Sequence, residues 1–365
     1  MAFQESLGTS PVRVAIIGYG LAGSVFHAPL VDATPDMKVA AIVTGNKERQ
    51  QSARKRYPNA KILSQVADLW QNASNYDLAV VATSNNMHVP LGIAALRAGL
   101  PVVIDKPMAA TVNDAQQLLT VSHETGQLLT VFQNRRWDND FLTVRKILDA
   151  NLLGPIIRFE SRFERYRPTP RQGVWRESAD PQAAGGQLYD LGSHLIDQAL
   201  YLFGKPKRVY AEMFQRRPGA QVDDDSFVAL QFASGITAHL WMSQVARIAG
   251  QRMRVSGLNG TYEKWGLDPQ EDALRTGKQP GDPDWGREPR ERWGHLSTNL
   301  SEDGVHFDGP IETVPGAYER YYAGVRDALT KGTPLPVDPN SVLEVIRVIE
   351  AAQTSAREQR TVTIS

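Results

Sequence analysis

The sequence predicts an α/β amino-terminal module followed by an α+β module with a largely antiparallel sheet. Three observations carry this prediction. Strand-like apolar runs alternate with helical stretches over residues 12–133. A Gly-x-Gly-x-x-Gly turn closes the first of those runs. After about residue 134 the pattern changes to two-fold alternation. Strands alternating with helices predict a parallel sheet with crossover helices, whereas a period of two predicts a sheet with one covered face. A chain of 365 residues also suits two domains better than one. They are expected at 12–133 and 134–365, after a tail over 1–11.

In the first module, near-continuous apolar runs predict strands at 12–17, 37–43, 61–63, 78–83, 101–104 and 128–132. Helices are expected at 23–31, 47–56, 89–98 and 112–125. A helix over 140–150, closed by Gly154-Pro155, opens the second module. Alternating segments at 156–165, 208–215, 227–232, 237–243 and 251–257 then predict its sheet. A helix is expected over 195–203. Residues 269–289, rich in Gly, Pro, Asp and Trp, predict a long loop. An apolar stripe of Val342, Val345, Ile346, Ile349 and Ala352 predicts a helix over 341–357, with an edge strand at 361–364.

Composition narrows the function classes. Lys+Arg and Asp+Glu both number 40, so there is no basic excess of the kind a nucleic-acid binder carries. The chain has no cysteine, which excludes thiolate nucleophiles, Cys-ligated zinc and iron–sulfur clusters. No run approaches the ~18 apolar residues of a membrane span, and residues 1–11 lack an apolar signal core. A cytoplasmic protein is expected.

Val12-Arg13-Val14-Ala15-Ile16-Ile17 leads directly into Gly18-Tyr19-Gly20-Leu21-Ala22-Gly23. Such a turn is expected to bind a dinucleotide, the alternative being a plain structural turn that ends a strand. The first glycine permits the turn, the second admits the pyrophosphate, and the third lets the next helix pack on the strand. The helix start offers unpaired N–H groups to the phosphates. NAD-binding turns of this type place a carboxylate at the end of the second strand. Here that end is Thr44-Gly45-Asn46-Lys47, with Arg49 beyond. Asp36 precedes the strand and is expected to be a solvated loop residue. A hydroxyl, an amide and two cations suit a 2′-phosphate, so NADP is expected before NAD; the alternative leaves Lys47 and Arg49 as solvent-facing residues of a helix start.

Three further segments carry candidate chemistry. Asp105-Lys106-Pro107 follows a predicted strand at the sheet edge where open α/β sheets bind ligands. A lysine there can stabilise an alkoxide, or it can be a surface lysine in a turn. Asp190 and His194 stand four apart, and a carboxylate beside an imidazole can raise its pKa and orient it for proton transfer. The alternative makes Asp190 a helix cap and His194 a packed core residue. No third ligand at metal spacing accompanies them, so no metal site is expected. Asn134-Arg135-Arg136-Trp137-Asp138 can line a cofactor or polyol cleft, or form an interdomain ion cluster. Tyr166-Arg167-Pro168 and Trp175-Arg176 carry the same two readings.

Taken together, Gly18 to Gly23, Thr83-Ser84-Asn85-Asn86-Met87-His88, Asp105-Lys106-Pro107 and Asp190-x-x-x-His194 resemble the glucose–fructose oxidoreductase / inositol dehydrogenase / rhizopine catabolism family. The resemblance covers nearly the whole chain. The family's Glu-Lys-Pro stands here as Asp105-Lys106-Pro107. Four stretches are similar to the NADP-dependent scyllo-inositol dehydrogenases of that family: 18–27, 134–141, 189–194 and 270–275.

The resemblance implies a Rossmann domain, an open, mainly antiparallel second sheet, and homodimers or homotetramers formed through that sheet. It implies Lys106, Asp190 and His194 as the catalytic set. It places Thr83, Asn85, His88, Asp105, Arg135 and Trp137 with the glycine turn, Thr44, Asn46 and Lys47 on the cofactor side. Asn134, Tyr166 and Arg167 go to the substrate side. The expected reaction is nicotinamide-linked oxidation of a small polyol or sugar, with scyllo-inositol first and another keto- or anhydro-sugar as the alternative. A cofactor-sensing regulator without turnover is the other class, and an intact Lys106, Asp190 and His194 set favours the enzyme.

Overall fold

The computed structural model describes residues 10–171, 173–300 and 304–364. Most of the tail expected over 1–11 lies outside them. The first sheet is six-stranded and parallel: β1 (Val12–Ile17), β2 (Met37–Val43), β3 (Lys61–Leu63), β4 (Leu78–Val81), β5 (Val102–Ile104) and β6 (Leu129–Val131). Its spatial order is β3-β2-β1-β4-β5-β6, with every pair parallel. The order reverses beside β1, which opens a crevice at the carboxyl ends of β1 and β4. The strands are buried on both faces, as their unbroken apolar runs require.

The second sheet has nine strands: β7 (Ile156–Glu164), β8 (Pro206–Phe214), β9 (Asp225–Phe232), β10 (Thr237–Ser243), β11 (Met253–Gly257), β12 (Gly260–Lys264), β13 (Gly294–Asn299), β14 (His306–Ile311) and β15 (Val362–Thr363). They lie in the order β14-β13-β12-β11-β7-β10-β9-β8-β15. Only the β10–β7 pair is parallel. One face packs Phe159, Phe163, Leu240 and Val255 into the second core. The opposite face carries half-buried Phe227, His239 and Trp241, with the Arg162 guanidinium 3.8 Å over Trp241.

Two expectations are corrected. The helix expected over 23–31 is a widened π-helical turn, Ala22–His27, running into the α-helix Ala28–Asp32. The loop expected over 269–289 contains the helix Gln270–Arg275, with Gln270 and Leu274 buried. Three strands (β12, β13 and β14) and the helix Glu319–Lys331 were not read in the sequence at all.

The carboxyl-terminal segment ties the two sheets together. Tyr318, Tyr321, Tyr322 and Val325 belong to the core of the first sheet, not the second. The helix Pro339–Glu358 serves both cores. Val342, Leu343 and Ile346 face the first, while Val345, Val348, Ile349 and Ala352 face the second. Its stripe is therefore wide enough to be shared, as a period of 3.6 residues permits.

Buried ions also fasten the junction. Arg136 forms a two-pronged pair with Asp197, at 2.8 and 2.6 Å, and both side chains are almost fully enclosed. Asp197 lies on the helix Ser193–Phe203, which also carries His194. Asp197→Ala would leave a guanidinium buried without its carboxylate. Urea unfolding of that variant is expected to show a loss of roughly 3–5 kcal/mol. A change below about 1 kcal/mol would mean that the pair does not hold the junction.

Candidate active site

The glycine turn is built by close backbone approach. Gly18 has φ +98°, a conformation that side chains disfavour, and a Cβ there would stand 2.4 Å from the Ala82 carbonyl oxygen. A Cβ on Gly23 would stand 2.0 Å from the Gly18 oxygen. Gly20 differs. A Cβ there would meet only Arg49 Nη1, at 3.7 Å, so open space lies in front of it. The turn therefore keeps a cradle free where a dinucleotide phosphate would approach. It forms one wall of a cleft of about 1190 Å³ between the modules.

Lys106 enters this cleft two residues beyond the end of β5. Its Nζ donates to the Asp190 carbonyl oxygen at 2.5 Å and to Asp190 Oδ1 at 3.1 Å. Asp190 Oδ2 pairs with Arg176 Nε at 2.9 Å. Burial pushes the Asp190 carboxyl up, but Lys106 and Arg176 outweigh it and hold it far below the usual range. Burial lowers the Lys106 pKa, opposed by Asp190 and reinforced by Arg176. Beside it, Asp105 Oδ1 accepts from the Lys106 backbone N–H at 2.8 Å. Asp105 Oδ2 lies 3.8 Å from His27 Nε2, and His27 Nδ1 meets the Tyr322 hydroxyl at 2.6 Å.

His194 lines the same cleft and is buried. Its Nδ1 has no hydrogen-bond partner among the described residues. Burial first, then the charges of Lys106, Arg135, Arg252 and Arg165, lower its pKa well below 6.5. The expectation that Asp190 raises the imidazole pKa is thereby corrected. Both Asp190 oxygens are engaged by cations, and the net field at His194 is positive.

Residues 12–133 match the oxidoreductase family with an NAD-binding Rossmann fold, Gfo/Idh/MocA, and residues 145–364 match its carboxyl-terminal alpha/beta domain. The chain is 37% identical to scyllo-inositol 2-dehydrogenase (NADP(+)) IolW of Bacillus subtilis, over 96% of this chain and 95% of that protein. It is 39% identical to the oxidoreductase YdgJ of Escherichia coli, over 97% and 99%. A solved oxidoreductase, YvaA of Bacillus subtilis, superposes with a TM-score of 0.91 at 36% identity, covering 98% of this chain and all of that one. The chain belongs to the Gfo/Idh/MocA family. It is therefore an NAD(P)-linked oxidoreductase of the kind that acts on CH–OH groups of small molecules.

Other family-matched residues fall in and out of the cleft. Tyr19, Leu21, Ala22, Thr44, Thr83, Asn85, Asn134, Arg135 and Arg167 line it. Asn85 Nδ2 is also bonded to the Ala183 carbonyl at 2.8 Å, tying the modules. Arg135 lies over the Phe163 ring and pairs with Asp138 and Glu271. Five residues lie off the wall. Asn46 caps the helix Lys47–Arg56 by accepting from the Arg49 N–H, and Lys47 starts that helix in solvent. His88 is buried with Nδ1 against the Pro107 oxygen. Trp137 packs edge-on against Tyr321 in the first core. Tyr166 is exposed beneath the Arg247 guanidinium.

The cleft also gains residues that sequence reading passed over. Glu271, Asp272 and Arg275 reach it from the helix inside the expected loop, and Arg165 from the end of β7. The resemblance over 270–275 named these residues without giving them a helix or a role.

Open space at Gly20 makes a test of the cradle. Gly20→Ala is expected to leave the melting temperature within a few degrees of the parent, since nothing in the fold occupies that space. The Kd for the dinucleotide, read by fluorescence titration, should rise about tenfold or more, the equivalent of 1.4 kcal/mol. An unchanged Kd would remove the phosphates from that cradle.

Proposed function

We propose that this chain catalyses the reversible, NADP-linked oxidation of a secondary alcohol on a cyclic polyol or sugar, with scyllo-inositol as the reference substrate. One observation carries the reading: Lys106 Nζ, held on Asp190, shares a cleft with His194 and the glycine turn. The activity for which the Bacillus subtilis relative is named supports the substrate and the cofactor. Residues 12–133 hold the dinucleotide, and the remainder holds the polyol. When bound, the nicotinamide accepts or returns the hydride.

His194 is the general base. Its depressed pKa keeps the imidazole neutral at physiological pH, ready to take the hydroxyl proton. Lys106 donates a hydrogen bond to the same oxygen and stabilises its developing charge. Asp190 positions Lys106 and keeps it cationic. In the reducing direction Lys106 clamps the carbonyl oxygen and His194 returns the proton.

Thr44 and Arg49 hold the 2′-phosphate. No carboxylate at the end of β2 opposes it, and Arg49 stands beside the turn. Lys47 takes no part. The exposed face of the nine-stranded sheet joins copies of the chain into a dimer or tetramer, which light scattering on the purified protein would reveal.

The experiment is a spectrophotometric panel of NADP and NAD with scyllo-inositol, myo-inositol and glucose. NADP-linked turnover of scyllo-inositol is expected. Tight NADPH binding with no turnover of any polyol or keto-sugar would favour a sensor instead. Lys106→Ala should lower kcat by about 10²–10³ with little change in cofactor affinity.

Arg49→Ala should raise the KM for NADP about tenfold or more and leave that for NAD nearly unchanged, as expected for one charge-assisted hydrogen bond. The pH profile has a defined sign. Oxidation needs the neutral imidazole, so kcat/KM should persist below pH 6.5 and fall only on the acid side of it. An acid limb centred at or above 6.5 would remove His194 from the role of base.

A further inference from the structure

We infer that the substrate cleft contains an oxyanion subsite formed by Arg165, Arg167 and Arg171, so that the preferred polyol carries a phosphate or carboxylate. This rests on the assignment of Lys106, Asp190 and His194 to the hydride-transfer end. Guanidinium groups crowd this wall, and four of them are neutralised. Arg135 pairs with Asp138 and Glu271, and Arg275 pairs with Glu271. Arg217 pairs with Asp224 and Glu177, and Arg176 pairs with Asp190. Arg165, Arg167 and Arg171 line the same cleft with no carboxylate partner among the described residues.

The backbone aims two of them. The Arg165 N–H donates to the Ser243 oxygen at 2.9 Å, and the Arg167 N–H donates to the Gln244 oxygen at 2.7 Å. In that pinned, extended segment, residues two apart share a side. Arg165 and Arg167 accordingly line the cleft, while Tyr166 between them points out and stacks with Arg247. Arg165 is near enough to the reacting end for its charge to lower the His194 pKa.

Glu271 and Asp190 act on the charge of Arg165 without pairing with it, and Asp268 and Asp272 line the cleft as well. Asp190 serves both Lys106 and Arg176, and Glu177 is taken by Arg217. A planar fork of N–H donors recognises phosphate or carboxylate oxygens by paired hydrogen bonds. A neutral ring would satisfy Lys106 and His194 and leave three cations unpaired. An oxyanion on the ring, away from the reacting carbon, would fill them.

The test uses the full chain saturated with NADP. Inorganic phosphate, D-glucuronate, D-glucose 6-phosphate and neutral D-glucose are each titrated calorimetrically and run as inhibitors of scyllo-inositol turnover. The anions should bind at least about tenfold tighter than glucose, compete with scyllo-inositol and weaken with salt. Arg165→Gln and, separately, Arg167→Gln should each remove most of that preference. Arg167 is exposed, so its variant reports even if the Arg165 variant misfolds.

Glucuronate against glucose 6-phosphate distinguishes carboxylate from phosphate. Equal binding of glucose and the anions would overturn the subsite. So would phosphate competing with NADP, or arginine variants that change only the NADP affinity, since both would assign these arginines to the cofactor. Anion binding that depends on Arg167, with no polyol oxidised, would keep the subsite and sink the proposed reaction. Turnover of scyllo-inositol without anion preference would do the reverse.

Discussion

Lys106 arrives in the cleft from the first sheet, Asp190 arrives from the second module, and their contact governs what the rest of the site can do. An ammonium or a carboxylate at this depth is costly without an opposite charge beside it. Lys106 is held there by Asp190, whose other oxygen pairs with Arg176. Neighbouring bonds hold the same alignment: Asn85 to the Ala183 oxygen, and the Tyr189 hydroxyl to the Ala110 oxygen at 2.6 Å. The floor of the cleft is thus fixed by polar contacts across the junction. The tyrosine-rich segment Tyr318–Val325 and the shared helix Pro339–Glu358 supply the apolar part of that hold.

Asp190 is one carboxylate between two cations, so positive charge is left over. That excess falls on His194, which burial has already disfavoured as imidazolium. The outcome is a neutral imidazole beside a lysine ammonium. An alcohol losing its proton needs an acceptor for that proton and a donor for the oxygen left behind. An Asp–His pair of the kind the spacing suggested would supply the acceptor but make it more basic and more easily charged. The observed arrangement separates the tasks: Asp190 governs Lys106, and the cationic surroundings govern His194.

The first module was legible because its strands are buried on both faces and its glycines mark the turn. Unbroken apolar runs such as Leu78–Val81 admit few other readings. The second sheet was legible only where alternation was clean, as in Thr237–Ser243. Gly260–Lys264, Gly294–Asn299 and His306–Ile311 mix Gly, Thr, Ser and charged residues at both faces, so period two carries little signal there. The helix Gln270–Arg275 is short and surrounded by Gly and Pro, and composition hid it. Asn46 and Lys47 show a different limit. Sequence placed them at the right strand end, but the cap geometry of the next helix decides which side chains face the cleft.

The two widened turns, Ala22–His27 and Leu188–Gly192, explain why spacing misjudged Asp190. In a regular α-helix, residues four apart lie on one face, and Asp190 and His194 would be partners. A π-helical turn carries an extra residue and changes which side chains align, which is why such turns recur at functional sites. Asp190 lies within the wide turn and His194 lies in the regular helix after it. Freed from His194, the carboxylate meets Lys106 and Arg176. The first module repeats the device. Its wide turn ends at His27, whose Nδ1 meets the Tyr322 hydroxyl and whose Nε2 lies 3.8 Å from Asp105 Oδ2. Asp105 and Lys106 are consecutive, so the dipeptide is gripped from both sides by residues that each wide turn delivers. A single-residue change of helical pitch in each module thus sets where the charged groups of the cleft converge.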